Sequence, residues 1–341
     1  MVARQSYQLK DEITPIGVAF YITPYINGAI RVGNLAEKTL LFESMLDYKG
    51  YEMIPSTKRG APKGSLETVA EQACRVCGNL KNKQTASRDS ALEAIEEIIE
   101  EKKLLENKIL TVKLKPEMAI DKNLTGLVAN QLMAKYQRPV LLLNRVEDES
   151  GIKWEGSGRG YDKSRFKDLR QFLKDSQLVD LAEGHKNALG VRILDDNFDD
   201  FVKYANNELA NFVFTPCHRV DFIFNGNNFN SQDIIDIAEL KSYWGQGIEE
   251  PMIALENVKV NGSNLFLMSP DRNPTLKINL SNGTSLIKFK SSQEEYETLY
   301  TNGYYNLNII GRCEKNEWNG NITAQIIIED YEITEKRDYY F

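Results

Sequence analysis

The residues best suited to chemistry lie in two glycine-rich segments, GSGRG at 156–160 and EGHKNALG at 183–190. Ser157 supplies a hydroxyl, and Arg159 supplies a planar guanidinium that can bind a phosphate through two hydrogen bonds. The glycines around them would let the backbone approach an anion closely without a side-chain collision. We therefore expect Ser157, Gly158 and Arg159 to bind a phosphate group.

The second segment contributes a histidine. His185 is one of two histidines in the chain and stands between Gly184 and Lys186. A single histidine is more often structural, but here the ring can reach outward and donate to a phosphate. We expect Gly184, His185 and Lys186 to share the phosphate site, and His218 to be structural. The carboxylate of Glu183 is unfavourable beside a phosphate unless it points away or pairs with a base.

Charge is distributed unevenly along the chain. The formal net charge of −7 argues against a generally basic nucleic-acid coat. Between Lys153 and Lys174, however, seven basic residues oppose three acidic ones. Such a stretch can attract phosphate, or it can be one solvated helix face, and both alternatives remain open. The segment PSTKRGAPKGS at 55–65 is expected to be an exposed basic loop.

The cysteines do not predict a metal site. Cys74 and Cys77 form a CxxC, but no second pair of ligands follows at a similar spacing, so reduced structural thiols are expected. There is no apolar run of roughly 18 residues and no apolar segment typical of a signal peptide. We therefore expect a cytoplasmic protein that does not enter a membrane, binds no cofactor or metal itself and is a monomer.

The hydrophobic pattern predicts an α/β fold class for the central part of the chain. Helical spacing predicts a helix at 35–48 and a long helix from about 66 to 106, a length typical of a connector between domains. From 109 to 210, apolar strands alternate with amphipathic helices. This alternation predicts an α/β domain with a sheet at its centre.

From residue 251 onward the pattern changes to short strands separated by Asn/Gly turns. Asn319-Gly320 predicts a type I′ hairpin between the last two strands. A helical insert at 292–300 lies between the fourth and fifth strands, which is the layout of an all-β OB-like barrel. Aromatic residues there could stack on bases, although for each one a place in the core is the better expectation. These candidates are Trp318, Phe266 and Tyr305, together with Phe289 and Tyr304.

Four sets of segments, in chain order, resemble the RecJ family of DHH phosphoesterases, which are single-stranded-DNA-specific exonucleases. ITPYINGAIRVGN at 22–34 resembles the family's aPrINAaGRlgd, with departures at Tyr25 and Ile30. LTGLVANQLMAKYQRPVLLL at 124–143 resembles iGivAsrLvekyyRPviv. The two glycine-rich segments resemble GSaRS and GGHpxAaG of the DHH-associated domain, with Glu183 in place of the first glycine. GQGIEEPMIAL and NEWNGNITAQIIIED resemble the first segment and the closing hairpin of the RecJ OB-like domain.

The resemblance implies four parts. Residues 1–107 would be the end of a catalytic domain, most of which is absent, followed by the helical connector. Residues 108–215 would be the DHH-associated substrate-binding α/β domain, 216–250 a connecting segment and 251–341 the OB-like domain. Asn27 and Arg31 match the family's first segment and would form a second layer of nucleic-acid contacts. The alternative for them is a turn that caps the following helix.

The activity implied by the resemblance is metal-dependent hydrolysis of phosphodiesters from the 5′ end of a single strand, in DNA repair or recombination. Mn or Mg ions would be held in the missing catalytic domain by an Asp/His cluster that includes Asp-His-His. This chain contains no Asp-His-His triplet. We therefore expect this chain to be a substrate-binding portion that is inactive alone. Its expected partners are single-stranded DNA and a separate catalytic DHH half. The alternatives are a stand-alone single-stranded nucleic-acid-binding or adaptor module, or a regulator that mimics this half.

Overall fold

The computed structural model describes residues 1–9, 13–149, 151–245 and 247–337. Within these residues the chain forms two compact units. The first unit comprises Met1–Gln5 and Phe20–Cys217, and the second comprises Ser6–Ala19 and His218–Phe341. Each unit has its own sheet and its own hydrophobic core. None of the helices in the described ranges is both long enough and apolar enough to cross a membrane.

Helices and strands are numbered in chain order. The helices are α1 (Ser6–Leu9), α2 (Pro15–Gly17), α3 (Thr23–Val32), α4 (Leu35–Glu43), α5 (Asp47–Gly50), α6 (Val69–Glu101), α7 (Lys122–Tyr136), α8 (Leu169–Asp175), α9 (Asp195–Glu208), α10 (Ser231–Glu239) and α11 (Gln293–Leu299). The strands are β1 (Met53–Pro55), β2 (Leu66–Thr68), β3 (Leu110–Leu114), β4 (Val140–Asp148), β5 (Gly151–Arg159), β6 (Leu181–His185), β7 (Ala188–Leu194), β8 (Phe222–Asn225), β9 (Ile253–Val260), β10 (Leu265–Met268), β11 (Thr275–Asn279), β12 (Ser285–Phe289), β13 (Tyr304–Trp318) and β14 (Asn321–Arg337).

Helix α6 is the long helix that the sequence predicts, and it lies wholly within the first unit. It has 33 residues and is therefore about 50 Å long. It begins at a capping box, in which the Glu71 backbone N–H donates to Thr68 Oγ1 and the Thr68 backbone N–H donates to Glu71 Oε2. It starts later than predicted, because Leu66–Thr68 pair with β1 as strand β2. Near its middle α6 packs closely on α3, where a Cβ on Gly28 would lie 2.9 Å from the Lys81 Cα.

The first unit is centred on a five-stranded sheet with the order β3-β4-β5-β7-β6. Strands β3 and β4 are parallel, and the other neighbours are antiparallel. Leu141 and Leu143 of β4 face the core formed with α8 and α9. Leu142, on the opposite face, packs into the core formed with α6 and α7. Burial on both faces explains why β4 begins as an unbroken apolar run.

The second unit contains a seven-stranded sheet with the order β10-β11-β12-β14-β13-β9-β8. Asn319 and Gly320 have φ angles of 50° and 77° at the β13–β14 turn, which confirms the predicted type I′ hairpin. The predicted helical insert is α11. Strands β10 and β8 form the two edges of this sheet in the described ranges, and the strands with their helical insert form the OB-like part that the sequence predicts.

Two elements of this sheet's core lie within residues 216–250, which the sequence suggested to be a connecting segment. Strand β8 pairs in parallel with β9. Helix α10 contributes Ile234 and Ala238 to the hydrophobic core of the sheet. Short elements of this kind give a weak periodic signal, because only a few of their residues are buried.

The buried position of Leu142 gives a test of the fold. The side chain is fully buried between the sheet and α7. We expect Leu142→Ala to lower the free energy of unfolding by about 2–5 kcal/mol, because the substitution leaves a cavity. Val146→Ala on the exposed end of the same strand is the matched control, with a loss within about 1 kcal/mol. Urea unfolding would measure both, and equal losses would contradict this placement.

Candidate phosphate-binding site

Ser157 and Arg159 lie on one face of β5, beside the first turns of α7. Ser157 Oγ is 2.9 Å from Thr125 Oγ1. The Arg159 guanidinium lies over Gly126, because a Cβ on that glycine would be 2.3 Å from Arg159 Nη2. Any side chain at residue 126 would therefore displace the guanidinium. The N-terminal turns of a helix also carry a partial positive charge, which adds to the charge of the arginine.

Arg31 of α3 brings a second positive charge to Arg159. Burial lowers the pKa of the Arg159 guanidinium, and the charge of Arg31 lowers this pKa further. Arg159 Nη1 donates to its neighbouring Gly158 carbonyl oxygen at 2.7 Å. In the described part of the chain no carboxylate forms an ion pair with either arginine. Two guanidiniums that approach without a counter-ion are unfavourable unless an anion binds between them.

An open trough extends from these residues across the sheet. Arg159, Ala188 and His185 are aligned on β5, β7 and β6, and Ser157, Gly190 and Glu183 form the adjacent row. Directly paired residues point to the same face, so the small Ala188 and Gly190 form a floor between two walls. Helix α7 packs over β4 and β5 on this face. The walls are two strand spacings apart, about 10 Å.

Packing within the described part of the chain does not require a glycine at residue 190. Its φ angle is not positive, and a Cβ there would lie 3.8 Å from the nearest atom, the Glu183 carbonyl oxygen. The residue is exposed on the floor of the trough. The absence of a side chain at Gly190 therefore leaves room on the sheet surface for a bound molecule. Glu183 is also exposed, and its carboxylate is on the far wall, where it does not neutralise Arg159.

The glycines around Ser157 have a different role from the predicted one. A Cβ on Gly156 would lie 1.9 Å from the Leu142 carbonyl oxygen, and one on Gly160 would lie 2.1 Å from Asn187 Oδ1. A Cβ on Gly158 would enter the core and meet Val191 at 3.1 Å. These positions are strand and core contacts, and not a loop that wraps a phosphate. Phosphate binding by the Gly158 backbone stays a prediction.

The turn that follows His185 is fixed by α8. Arg170 Nη1 donates to the Gly184 carbonyl oxygen at 2.6 Å, and the Arg170 backbone N–H donates to the Lys186 carbonyl oxygen at 2.9 Å. Gly184 has a φ of 131°, a backbone conformation that favours glycine. The side chains of His185 and Lys186 are exposed at this end of the trough. Their contact with phosphate stays a prediction.

The basic stretch from Lys153 to Lys174 does not form one helix face, which excludes the alternative that the sequence left open. Its members are spread over β5, the following loop and α8. Several bind groups of the chain itself: Lys153 pairs with Asp148, and Lys167 Nζ donates to the Asp162 carbonyl oxygen. Local charge alone therefore does not identify the residues available to a ligand.

Helix α3 also excludes the capping alternative for Asn27 and Arg31. These two residues are one turn apart on α3 and half-buried. The cap of α4 is Asn34, whose Oδ1 accepts from the Glu37 backbone N–H at 3.0 Å. Asn27 forms no side-chain hydrogen bond within the described ranges. Its position on the same helix face leaves its amide available beside Arg31.

The aromatic candidates of the second unit separate by exposure. Trp318 is 73% exposed at the tip of the β13–β14 hairpin, and Phe266 and Phe289 are exposed on β10 and β12. The Tyr305 ring lies in the hydrophobic core, which was the better expectation for each aromatic candidate, and it is not available for stacking on bases. Alternation along β13 directs Tyr305 inward, a direction that composition could not reveal. The Lys259 ammonium nitrogen lies 4.0 Å from the centroid of the Tyr304 ring.

No metal site is formed by the residues that the structure describes, since no three His, Cys, Asp or Glu side chains are grouped to hold an ion. Cys74 and Cys77 are free thiols in α6. Burial raises the pKa of Cys77 to about 11, so this thiol is neutral near pH 7.

Comparisons with known proteins indicate the family that this chain resembles. The RecJ OB domain family matches residues 220–330. A Bacillus subtilis (strain 168) protein named as an SPbeta prophage-derived single-strand DNA-specific exonuclease is 34% identical over 99% of this chain, which covers 58% of that protein. The single-stranded-DNA-specific exonuclease RecJ of Bacillus subtilis (strain 168) is 23% identical over 62% of this chain and 26% of its own length.

A solved structure shares the fold. RecJ from Thermus thermophilus, crystallised in complex with Mn²⁺, aligns with 98% of this chain and 44% of its own with a TM-score of 0.62 and 18% identity. The chain is therefore similar to RecJ-type proteins over nearly its whole length and contains a RecJ OB domain match, and it spans 58% of the length of the first curated relative. Sequence reasoning had not assigned site roles to Thr125, Gly126, Ala188 and Gly190, although all four lie in the quoted segments.

The two unpaired arginines give a test of the site. We expect Arg31→Gln to leave the unfolding temperature in low-salt buffer equal or slightly higher, because the repulsion with Arg159 is removed. Added phosphate should stabilise the wild type in proportion to its binding and stabilise the variant less. Thermal unfolding with and without phosphate measures both effects. Lys203→Gln on α9 should respond like the wild type, and an equal phosphate effect in Arg31→Gln would contradict the site.

Proposed function

We propose that this chain is the substrate-binding portion of a 5′-3′ single-stranded DNA exonuclease. The observation that carries the proposal is the Arg159 guanidinium, which lies over Gly126 beside Ser157 and forms no ion pair with a carboxylate in the described chain. The positive charge of Arg31 on α3 acts on the same guanidinium. A terminal or scissile phosphate supplies the missing negative charge. Arg159 binds it through its guanidinium fork and Ser157 donates from its hydroxyl. His185 and Lys186 lie at the opposite wall and contact the next part of the strand.

The dimensions of the trough favour a single strand. The floor is two strand spacings wide, about 10 Å, and is formed by Ala188 and Gly190. One sugar-phosphate chain fits such a width. Contacts to phosphates position a strand without reading its sequence, as a processive exonuclease requires. In the second unit, Trp318 and Phe266 present exposed rings on which bases stack without sequence preference.

Hydrolysis itself belongs to a separate catalytic half in this proposal. The described residues form no group that could hold Mn or Mg, which supply the nucleophile and charge stabilisation in metal-dependent phosphodiester hydrolysis. This chain fixes the phosphate and offsets its charge. The catalytic half would dock on the outer face of α4, where Leu35 and Phe42 lie two turns apart and are 82% and 64% exposed. A cytoplasmic role in DNA repair or recombination belongs to the same proposal.

Oligonucleotide binding tests the trough. We expect Arg159→Ala to raise the Kd for a 5′-phosphorylated oligothymidylate roughly ten- to a hundredfold, since hydrogen bonds to charged groups contribute about 1.5–3 kcal/mol. Gly190→Val should weaken binding by filling the floor without lowering the unfolding temperature, because its Cβ would make only an ordinary van der Waals contact, 3.8 Å from the Glu183 carbonyl oxygen. Fluorescence anisotropy measures both.

Lys203→Ala is the control for this titration. It lies on α9, which packs on the opposite face of the sheet, and should bind like the wild type. Unchanged affinity in Arg159→Ala would reject the phosphate assignment.

A reconstitution experiment separates the nuclease portion from a stand-alone binding or adaptor module. We expect the 341-residue chain alone to release no mononucleotides with Mn²⁺, and to do so when mixed with a polypeptide that carries an Asp-His-His domain. Phe42→Ser should weaken this complementation by reducing the apolar docking face, whereas Val146→Ser, exposed on β4, should not. Robust cleavage by the chain alone would overturn the proposal, and binding without complementation would favour the adaptor.

A further inference from the structure

A basic hairpin lies between α5 and α6. Strands β1 and β2 pair antiparallel, from Met53 with Thr68 to Pro55 with Leu66. The loop that joins them, residues 56–65, contains three basic residues and no acidic one, in a chain whose net charge is −7. Lys58, Arg59 and Lys63 are all exposed, and none has a side-chain partner in the described part of the chain. The loop is the exposed basic segment that the sequence predicts.

The base of the hairpin is fixed to α6 by a polar network. Gln72, which is buried, donates from Nε2 to Thr57 Oγ1 at 3.0 Å and to Glu67 Oε1 at 3.1 Å. Arg75 forms an ion pair with Glu67 and also donates to Thr57 Oγ1. Because its base is fixed, the hairpin holds its basic loop in one place instead of leaving it as a loose tail.

A cavity of about 800 Å³ lies between the loop and α6. Its charged lining comprises the cations Arg4, Lys58, Arg59 and Arg75 and the acids Glu67 and Glu71. Both acids already have partners, since Glu67 pairs with Arg75 and Glu71 completes the capping box of α6. Arg4, Lys58 and Arg59 therefore leave this surface with a positive excess that an anion can use.

We propose that this hairpin is a second phosphate-binding site, which holds the backbone of the single strand several nucleotides beyond the phosphate bound by Arg31 and Arg159. This inference rests on the proposed function. The hairpin network reaches Gln72, and α3 packs on α6 at Lys81. Gln72 and Lys81 are about 13 Å apart along the axis of α6. Arg31 follows Gly28 by less than one turn of α3, and in this proposal one extended strand spans both sites.

The chemistry of the loop favours a polyanionic backbone over a membrane surface. Between Lys58 and Lys63 it contains Gly60, Ala61 and Pro62, none of which inserts a large apolar side chain into lipid. Gly60 has a φ of 79° and meets nothing within 4 Å, so the loop is open to solvent on that side. Lysine and arginine at such a position bind phosphates without sequence preference.

Length-dependent binding tests this site. The full chain and the triple variant Lys58→Glu, Arg59→Glu, Lys63→Glu would be titrated with 5′-phosphorylated oligothymidylates of about 4 and about 16 nucleotides, at several salt concentrations. For the longer probe we expect the slope of log K against log salt to shrink by about 2, since each phosphate contact on a single strand contributes about 0.7. The shorter probe, held at the Arg159 site, should be unaffected.

A triple variant with the same change in net charge provides the control. Lys102 and Lys103 directly follow α6, and Lys115 directly follows β3. All three are exposed and have no side-chain partner in the described ranges, and their replacement by Glu should leave both slopes unchanged. The glutamine triple at 58, 59 and 63 should shift the slope in the same direction as the glutamate triple, and unchanged unfolding temperatures would confirm that the variants fold.

The possible outcomes separate the two proposals. An unchanged slope for the hairpin variant on the longer probe, or an equal change in the control variant, overturns the hairpin site alone. Displacement of the longer probe by polyglutamate at equal charge concentration also overturns it, because the hairpin would then bind acidic polypeptide. If the wild type binds neither probe, the proposed function fails as well. Arg159→Ala should weaken both probes, which distinguishes that site from the hairpin.

Discussion

The candidate site depends on the like charges of two half-buried guanidinium groups, those of Arg31 and Arg159. Arg159 is drawn into the sheet beside α7, and Arg31 reaches it from α3. A folded protein gains nothing from such a pair by itself, because like charges in a partly desolvated place lower stability. The arrangement becomes favourable when an anion lies between them. In the proposed function a bound phosphate would offset this cost.

Holding the two arginines together requires unusually close backbone packing at several places. Gly28 lets α3 approach α6 closely, and this packing fixes the position of Arg31 along α6. Gly126 leaves room for the Arg159 guanidinium over α7, and Gly156 lets β5 lie close to β4. Each of these glycines removes a side chain that would push one element away from its neighbour. The site is consequently a product of helix and sheet packing, and its residues come from α3, α7, β5, β7 and β6.

The two units contribute different kinds of contact to a nucleic acid. The first unit offers fixed positive charge: the paired arginines, the exposed Lys186 and the basic hairpin. The second unit offers exposed aromatic rings on an open sheet, with Trp318 at the end of a long hairpin. Charge binds any backbone, and rings bind any base, so both contributions are tolerant of sequence. Such tolerance is what the proposed binding of successive nucleotides requires.

Sequence alone determined the order of the segments, the alternating α/β pattern of the central part, the long helix α6 and the Asn319-Gly320 turn. These features depend on local periodicity and on turn chemistry, which neighbouring residues carry. It also identified Ser157, Arg159, His185 and Arg31 as candidates. It did not reveal that GSGRG continues as a strand, because that depends on the partner strands whose atoms the glycines accommodate.

The tertiary structure decided which candidates meet. Arg31 and Arg159 are far apart in the chain, and only the packing of α3 against α6 and α7 brings them together. It also placed Tyr305 in a core and left Gly190 open on the floor of the trough. Side-chain direction and burial depend on contacts between distant segments, which local patterns do not contain. Sequence therefore named the groups that can bind phosphate, and the fold selected those that form one site.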